Sequence, residues 1–135
     1  MVSLLLARGA SPSTEAVAEA VTFGHAEVTR ALVRAGVNVS FAESSGVNLL
    51  HWAVITNRAS VVPVLVEAGV PIDDVDGFDY TPLMYAVTLD QGETDTLEAV
   101  LRARPNRTIR NDAGRTAAQQ ARRLGRSRAI KLLAR

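Results

Sequence analysis

Apolar side chains along this chain fall in short blocks spaced three and four residues apart, the mark of one buried helical face. Leu83, Ala86 and Val87 form one block, and Val17, Ala20 and Val21 form another. Cap-forming residues open the blocks. Thr81-Pro82 puts a good N-cap before a proline at the first helical position, where the missing N–H costs nothing. Asn48 and Thr116 are the matching caps elsewhere. The pattern predicts helices over about 16–23, 49–56 and 117–123, and one from Pro82 onward. For the first, Glu15 holds the cap position, and Thr14 is the better capping side chain.

Each of these helices is followed by a short turn and a second block. Phe23-Gly24-His25-Ala26 is one such turn, with glycine as a left-handed C-cap. Second helices are predicted over about 26–34, 59–67, 95–103 and 127–134. Their apolar sets are Val28, Leu32 and Val33; Val61, Leu65 and Val66; Leu97, Val100 and Leu101; and Ile130 and Leu133. Pro63 falls in the first turn or so of its helix, where proline does least harm. Extended, turn-rich segments then lead to the next cap: Asn38 to Val47, Pro71 to Tyr80, and Asn106 to Arg115. Asp76-Gly77 and Asp112-Ala113-Gly114 supply their turn chemistry.

The blocks repeat. Asn48-Leu49-Leu50-His51-Trp52-Ala53 returns as Thr81-Pro82-Leu83-Met84-Tyr85-Ala86, and more weakly as Thr116-Ala117-Ala118-Gln119-Gln120-Ala121. Gly36 and Gly69 lie 33 positions apart (69 − 36). A fixed period of this length means stacked supersecondary units, each a turn and two helices. This arrangement resembles the ankyrin repeat, whose unit is a β-turn finger and two antiparallel helices with a T-P-L-H-x-A opening. Leu50-His51-Trp52-Ala53 and Thr81-Pro82-Leu83 match that opening. Gly24-His25-Ala26-Glu27-Val28 is similar to the family's inter-helix turn, and Ala35-Gly36-Val37-Asn38-Val39 and Ala68-Gly69-Val70 to its exit into the finger. The resemblance implies an all-α ankyrin-repeat solenoid over residues 1–135 as a single domain. Its expected divisions are a half-repeat over 2–13, full repeats over about 14–46, 47–79 and 80–114, and a C-terminal capping repeat over 115–135.

Three departures are expected to disturb the array. Gly9 to Gly36 spans only 27 positions, so the first finger is clipped. About three extra residues stand near Asp90-Gln91-Gly92-Glu93. Arg104-Pro105-Asn106 replaces an exit glycine, so that helix end is expected to be altered and its finger less regular. The last unit has the polar outer surface that a terminal repeat needs. The first does not: Val2, Leu4, Leu5 and Leu6 exceed what one neighbour can cover. That end is expected to be an incomplete first repeat, to self-associate with another molecule, or to fold back tightly.

Composition narrows function. Hydrophobic content of 47% over 135 residues suits a folded domain, and the absence of cysteine removes disulfides and thiolate metal sites. No run of 18 apolar residues is present to cross a bilayer, and the chain reads as soluble and cytoplasmic. The net charge of +1 conceals a dipole. Residues 1–101 carry 4 Arg against 13 acids, net −9; residues 102–135 carry 10 Arg and 1 Lys against Asp112, net +10. His25 and His51 are the only histidines, and the resemblance implies structural hydrogen bonds for both. The run Asp73-Asp74-Val75-Asp76-Gly77-Phe78-Asp79 lacks the ligand positions of a calcium loop, with Ile72 and Leu83 where acids are needed, and reads as a solvated acidic finger tip. No metal, cofactor or catalytic constellation is expected, and the chain is read as non-enzymatic.

The resemblance places partner binding on the finger tips and the concave ends of the first helices. The tips offer Ser44, Ser45, Val47, Phe78, Tyr80 and Arg115; the helix ends offer Phe23, Ile55, Thr56, Thr88, Leu89 and Arg123. Phe78 and Tyr80 stand among aspartates, where core packing does not demand aromatics, and interface anchors are often of this type. The alternative for either ring is packing on the adjacent finger. Trp52 and Tyr85 are expected to pack between helices. The reading is a protein–protein interaction module whose partner carries a basic patch. The alternative is electrostatic binding of nucleic acid or anionic lipid by the Arg-rich C-terminal end.

Overall fold

The computed structural model describes residues 12–89 and 94–135. The half-repeat, apart from its last residues, and the insertion near Asp90 lie outside the described residues. The helices are α1 (Pro12–Thr22), α2 (Ala26–Arg34), α3 (Leu49–Ile55), α4 (Val62–Glu67), α5 (Pro82–Thr88), α6 (Asp95–Arg102), α7 (Ala117–Arg123) and α8 (Ser127–Leu133). Among the described residues the β-structure is one isolated antiparallel bridge, Ala42 to Asn48. First helices stack in the order α1, α3, α5, α7, and second helices in the order α2, α4, α6. Each pair packs internally as well: α1 on α2, α3 on α4, α5 on α6, α7 on α8. The core is a continuous seam through the stack, holding Val17, Val21, Leu50, Val61, Leu65, Leu83, Val87, Leu97 and Val100.

Capping boxes set the starts of α3, α5 and α7, which is why the repeated cap residues recur. Asn48, Thr81 and Thr116 each accept the backbone N–H of the third helical residue, and His51, Met84 and Gln119 accept the cap's own N–H in return. The helix α1 departs from expectation. It begins at Pro12, placing Thr14 and Glu15 inside the first turn instead of at a cap, and Glu15 is buried. Proline is well suited to open a helix there. Likewise α4 begins at Val62, after a turn closed by Val61 N–H donating to the Arg58 carbonyl, with Pro63 in its first turn.

The exit after α6 is altered in part, as expected at Arg104: Pro105 has no N–H to give the bond that Val37 donates to the Leu32 carbonyl and Val70 to the Leu65 carbonyl, but the turn itself is kept. Arg104 takes the left-handed conformation (φ 56°) that Gly36 (φ 90°) and Gly69 (φ 91°) take. Its N–H donates to the Leu101 carbonyl, three residues back, as Gly36 donates to Val33 and Gly69 to Val66. The stack imposes the geometry and the side chain bears the strain.

Candidate partner-binding surface

The fingers are built by one recurring device. Asp76 N–H donates to the Tyr80 carbonyl and Asn111 N–H to the Arg115 carbonyl, closing each loop. Asp76 Oδ1 accepts the N–H groups of Phe78 (2.9 Å) and Tyr80 (3.0 Å), and Asn111 Oδ1 accepts those of Ala113 (3.0 Å) and Arg115 (3.1 Å). Adjacent fingers are tied along the array. Gly77 N–H donates to the Ser45 carbonyl, and Asp112 N–H to the Phe78 carbonyl.

Asp76 is therefore buried, a correction to the solvated acidic tip expected from sequence. Its Oδ2 accepts the Tyr85 hydroxyl. Burial alone would raise the Asp76 carboxyl, but hydrogen bonds from Tyr85, Tyr80 and Phe78, with His51 nearby, outweigh it and hold its pKa below the ordinary carboxylate value. Burial, reinforced by the carboxylate, pushes the Tyr85 phenol up. His51 completes the support. Its Nε2 donates to the Tyr80 carbonyl (2.9 Å), which can only accept, so Nδ1 is the acceptor for Asn48 N–H (3.2 Å). Burial lowers the His51 pKa more than the Tyr80 carbonyl, Asp76 and Asp74 raise it, so the ring is neutral near pH 7. One imidazole thus joins the start of α3 to the next finger.

The candidate residues differ in what they expose. Phe78 stands on its finger with 63% of its surface free, and Phe23 and Leu89 are 46% and 43% exposed. Ser44, Ser45 and Arg123 are exposed; Val47, Ile55, Thr56 and Arg115 are half-buried. Tyr80 turns inward, onto Tyr85 of α5 and Gln120 of α7 and not onto the adjacent finger. It is half-buried, its ring lies 5.0 Å from that of Tyr85, and its hydroxyl accepts Gln120 Nε2 at 3.1 Å. Thr88 is also engaged internally, its hydroxyl accepting Gln120 Nε2 and its carbonyl accepting Arg126 Nη2. Trp52 joins the exposed set. It is 37% exposed, with its indole N–H donating to Thr22 Oγ1 beside Phe23. Its register with Tyr85 in the repeat marked this position in the sequence, but periodicity does not say how much of a ring the next unit covers.

Paired helices, a shared apolar seam and fingers bonded along the stack define a helical repeat solenoid. A family model for ankyrin repeats, three copies, matches residues 1–76, more than half of the 135, and the chain belongs to the ankyrin-repeat family. Curated relatives include the palmitoyltransferase Hip14 of Drosophila melanogaster, 32% identical over 99 residues, which are 73% of this chain and 15% of the relative. Human palmitoyltransferase ZDHHC17 is 37% identical over 75 residues, 55% of this chain and 12% of its own length. Human palmitoyltransferase ZDHHC13 is 35% identical over 72 residues, 53% and 12% respectively. The chain thus spans only about a tenth to a seventh of these relatives. No described helix is long and apolar enough to cross a membrane.

Proposed function

We propose that this chain is a non-catalytic binding module that holds a partner protein on the ridge formed by Phe23, Trp52, Phe78 and Leu89. Protein binding is the common role of ankyrin arrays, and the chain's share of its palmitoyltransferase relatives is its repeat array. Were it part of a longer protein of that kind, binding and not acyl transfer would be its contribution. The observation that carries the reading is Phe78. A phenylalanine left mostly in water, on a finger held by six main-chain N–H hydrogen bonds to backbone or Asp76 oxygens, supports a partner contact there. Asp74 and Asp79 are exposed beside it and favour a basic patch on that partner. The preformed backbone keeps the ordering cost of binding low.

The test is capture from lysate by the wild-type chain beside Phe78→Ala/Leu89→Ala, with Tyr80→Phe as a control for the internal network. A protein held by wild type and by Tyr80→Phe but lost by the double variant would support the ridge. Equal capture by all three chains would move the site elsewhere.

A further inference from the structure

The turn after α3 carries an arginine that reaches back to the preceding unit. Arg58 Nε donates to the carbonyl of Thr22, the last residue of α1 (2.8 Å). Arg126 repeats the device two units on, donating to the carbonyl of Thr88, the last residue of α5 (2.9 Å). A tie between units accounts for a bond of this kind in both places, but not for the way Arg58 makes it. Arg126 commits a terminal nitrogen, Nη2, whereas Arg58 uses Nε. Among the described residues the Nη1–Nη2 edge of Arg58 has no hydrogen bond and no carboxylate paired with it, and neither nitrogen is buried. Glu19, one turn before Thr22 on α1, is among the acids that leave it unpaired. The surroundings of the two arginines differ as well. Thr22 Oγ1 accepts the indole N–H of Trp52 (2.6 Å), so Trp52 and Arg58 hold the same residue. Phe23 follows Thr22 and is 46% exposed, with its ring 6.3 Å from that of His25. At the Arg126 tie, Leu89 follows Thr88, and buried Gln120 stands six residues before the arginine, where Trp52 stands before Arg58. Gly24 leaves room for the arginine: a Cβ there would meet Arg58 Cδ at 3.0 Å.

We infer that Arg58, Trp52 and Phe23 recognise a carboxylate set beside an apolar side chain on the partner protein. The inference rests on reading the ridge as a binding surface, and it names what the Phe23–Trp52 end of that surface takes. The terminal edge of a guanidinium meets both oxygens of a carboxylate in two parallel N–H bonds. The Nε bond to Thr22 holds the side chain in place before a partner arrives, so less freedom is lost on binding. The exposed indole and phenyl rings supply apolar contact next to the charge, and tryptophan and arginine are enriched among the residues that dominate protein interfaces. A single guanidinium suits a single carboxylate, whereas phosphorylated segments are held by clusters of arginines. A nucleic acid, which could also stack on the rings, is disfavoured because residues 1–101 carry a net charge of −9 and repel a polyanion.

The test is selection of a random dodecapeptide library on the wild-type chain, then titration of a selected peptide followed by the fluorescence of Trp52, the chain's only tryptophan. Selected peptides are expected to share an Asp or Glu beside an apolar residue, and binding should shift the Trp52 emission. Replacing that acid by its amide in the peptide should weaken binding at least about 10-fold, and so should Arg58→Gln in the chain with far-UV circular dichroism unchanged. The peptide exchange leaves the chain untouched, so it decides the question even if Arg58→Gln does not fold. Phe78→Ala/Leu89→Ala should bind the peptide like wild type, so this end of the ridge and the Phe78 end stand or fall separately. Failure to select peptides, selected peptides with no shared acid, an unchanged Trp52 emission or equal binding by Arg58→Gln overturns the proposal. So does tighter binding of the same peptide carrying phosphoserine in place of the acid.

Discussion

At the scale of single residues, the buried polar groups decide more than the exposed ones. His51 is held neutral in the fold, so between its lowered folded pKa and the ordinary value near 6.5 the unfolded chain binds the extra proton. Its contribution is complete above about pH 6.5 and is lost as pH falls through the folded pKa. Asp76 acts in a lower window. Its contribution is complete above about 3.8 and disappears as pH falls through its own depressed pKa. Urea unfolding from about pH 7.5 down to pH 5 should therefore show falling stability in wild type and a flatter profile in His51→Gln. The variant should also start about 1–3 kcal/mol less stable, since the Asn48 N–H and Tyr80 carbonyl lose well-aligned partners. Equal pH slopes would show that His51 does not govern this window. Asn111 supplies the comparison for Asp76. An asparagine oxygen already serves the same two amides one finger later, so Asp76→Asn should cost about 1 kcal/mol and Asp76→Ala about 3 kcal/mol by the same unfolding measurement.

Elements explain what was legible in the sequence and what was not. Capping residues and apolar spacing act locally, so α2, α3, α6, α7 and α8 fall within a residue or so of their expected bounds. Misjudged features were those that one unit imposes on the next. The exit at Arg104 loses the bond that Pro105 cannot donate, as the sequence suggests, but arginine still takes the left-handed conformation of the exit glycines where α6 packs on α4 and α5. Arg104→Gly should relieve that strain and raise stability by about 1 kcal/mol, measured by thermal unfolding. Asp76 looked solvated because no local rule reveals that Tyr85 reaches back to it. Of the ridge, exposed Phe78, Phe23 and Leu89 were legible from position in the repeat, whereas inward Tyr80 and partly open Trp52 depended on how neighbouring units meet. A close approach between fingers gives a sharper test. Gly46 has φ +86°, and a Cβ there would meet Asp76 Cα at 2.9 Å, whereas one at Gly36 (φ +90°) meets nothing within 4 Å. Both alanine variants bear backbone strain of about 1–2 kcal/mol, but Gly46→Ala must also part the two fingers. It should be the more destabilised of the pair in urea, and equal losses would mean that the fingers separate freely.

The whole molecule is a chain of nearest neighbours, so its stability is set interface by interface. The inner interfaces are large and apolar: Leu49, Leu50, Val62, Leu65, Leu83, Met84, Val87 and Leu97 are all buried. The last unit offers smaller groups, chiefly Ala117, Ala121, Ala129 and Leu132. Its seam also carries polar contacts, with Gln120 reaching Tyr80 and Thr88, and Arg126 reaching the Thr88 carbonyl. Smaller apolar side chains fill this interface, so α7 and α8 should open without the rest of the stack. Native-state amide exchange should give α7–α8 opening free energies a few kcal/mol below those of α3 and α5. Leu50→Ala, a loss of about 3 kcal/mol, should lower protection in α3 and α5 far more than in α7–α8. The gradient has a functional consequence. Phe78 lies between the firm inner units and the looser cap, tied to the latter by Asp112 N–H donating to its carbonyl. A partner gripping Phe78 and Leu89 would then be expected to raise protection in α5 first and to pass part of it into α7. Uniform exchange along the whole array would contradict the nearest-neighbour account and, with it, the claim that the ridge is a rigid surface formed before the partner arrives.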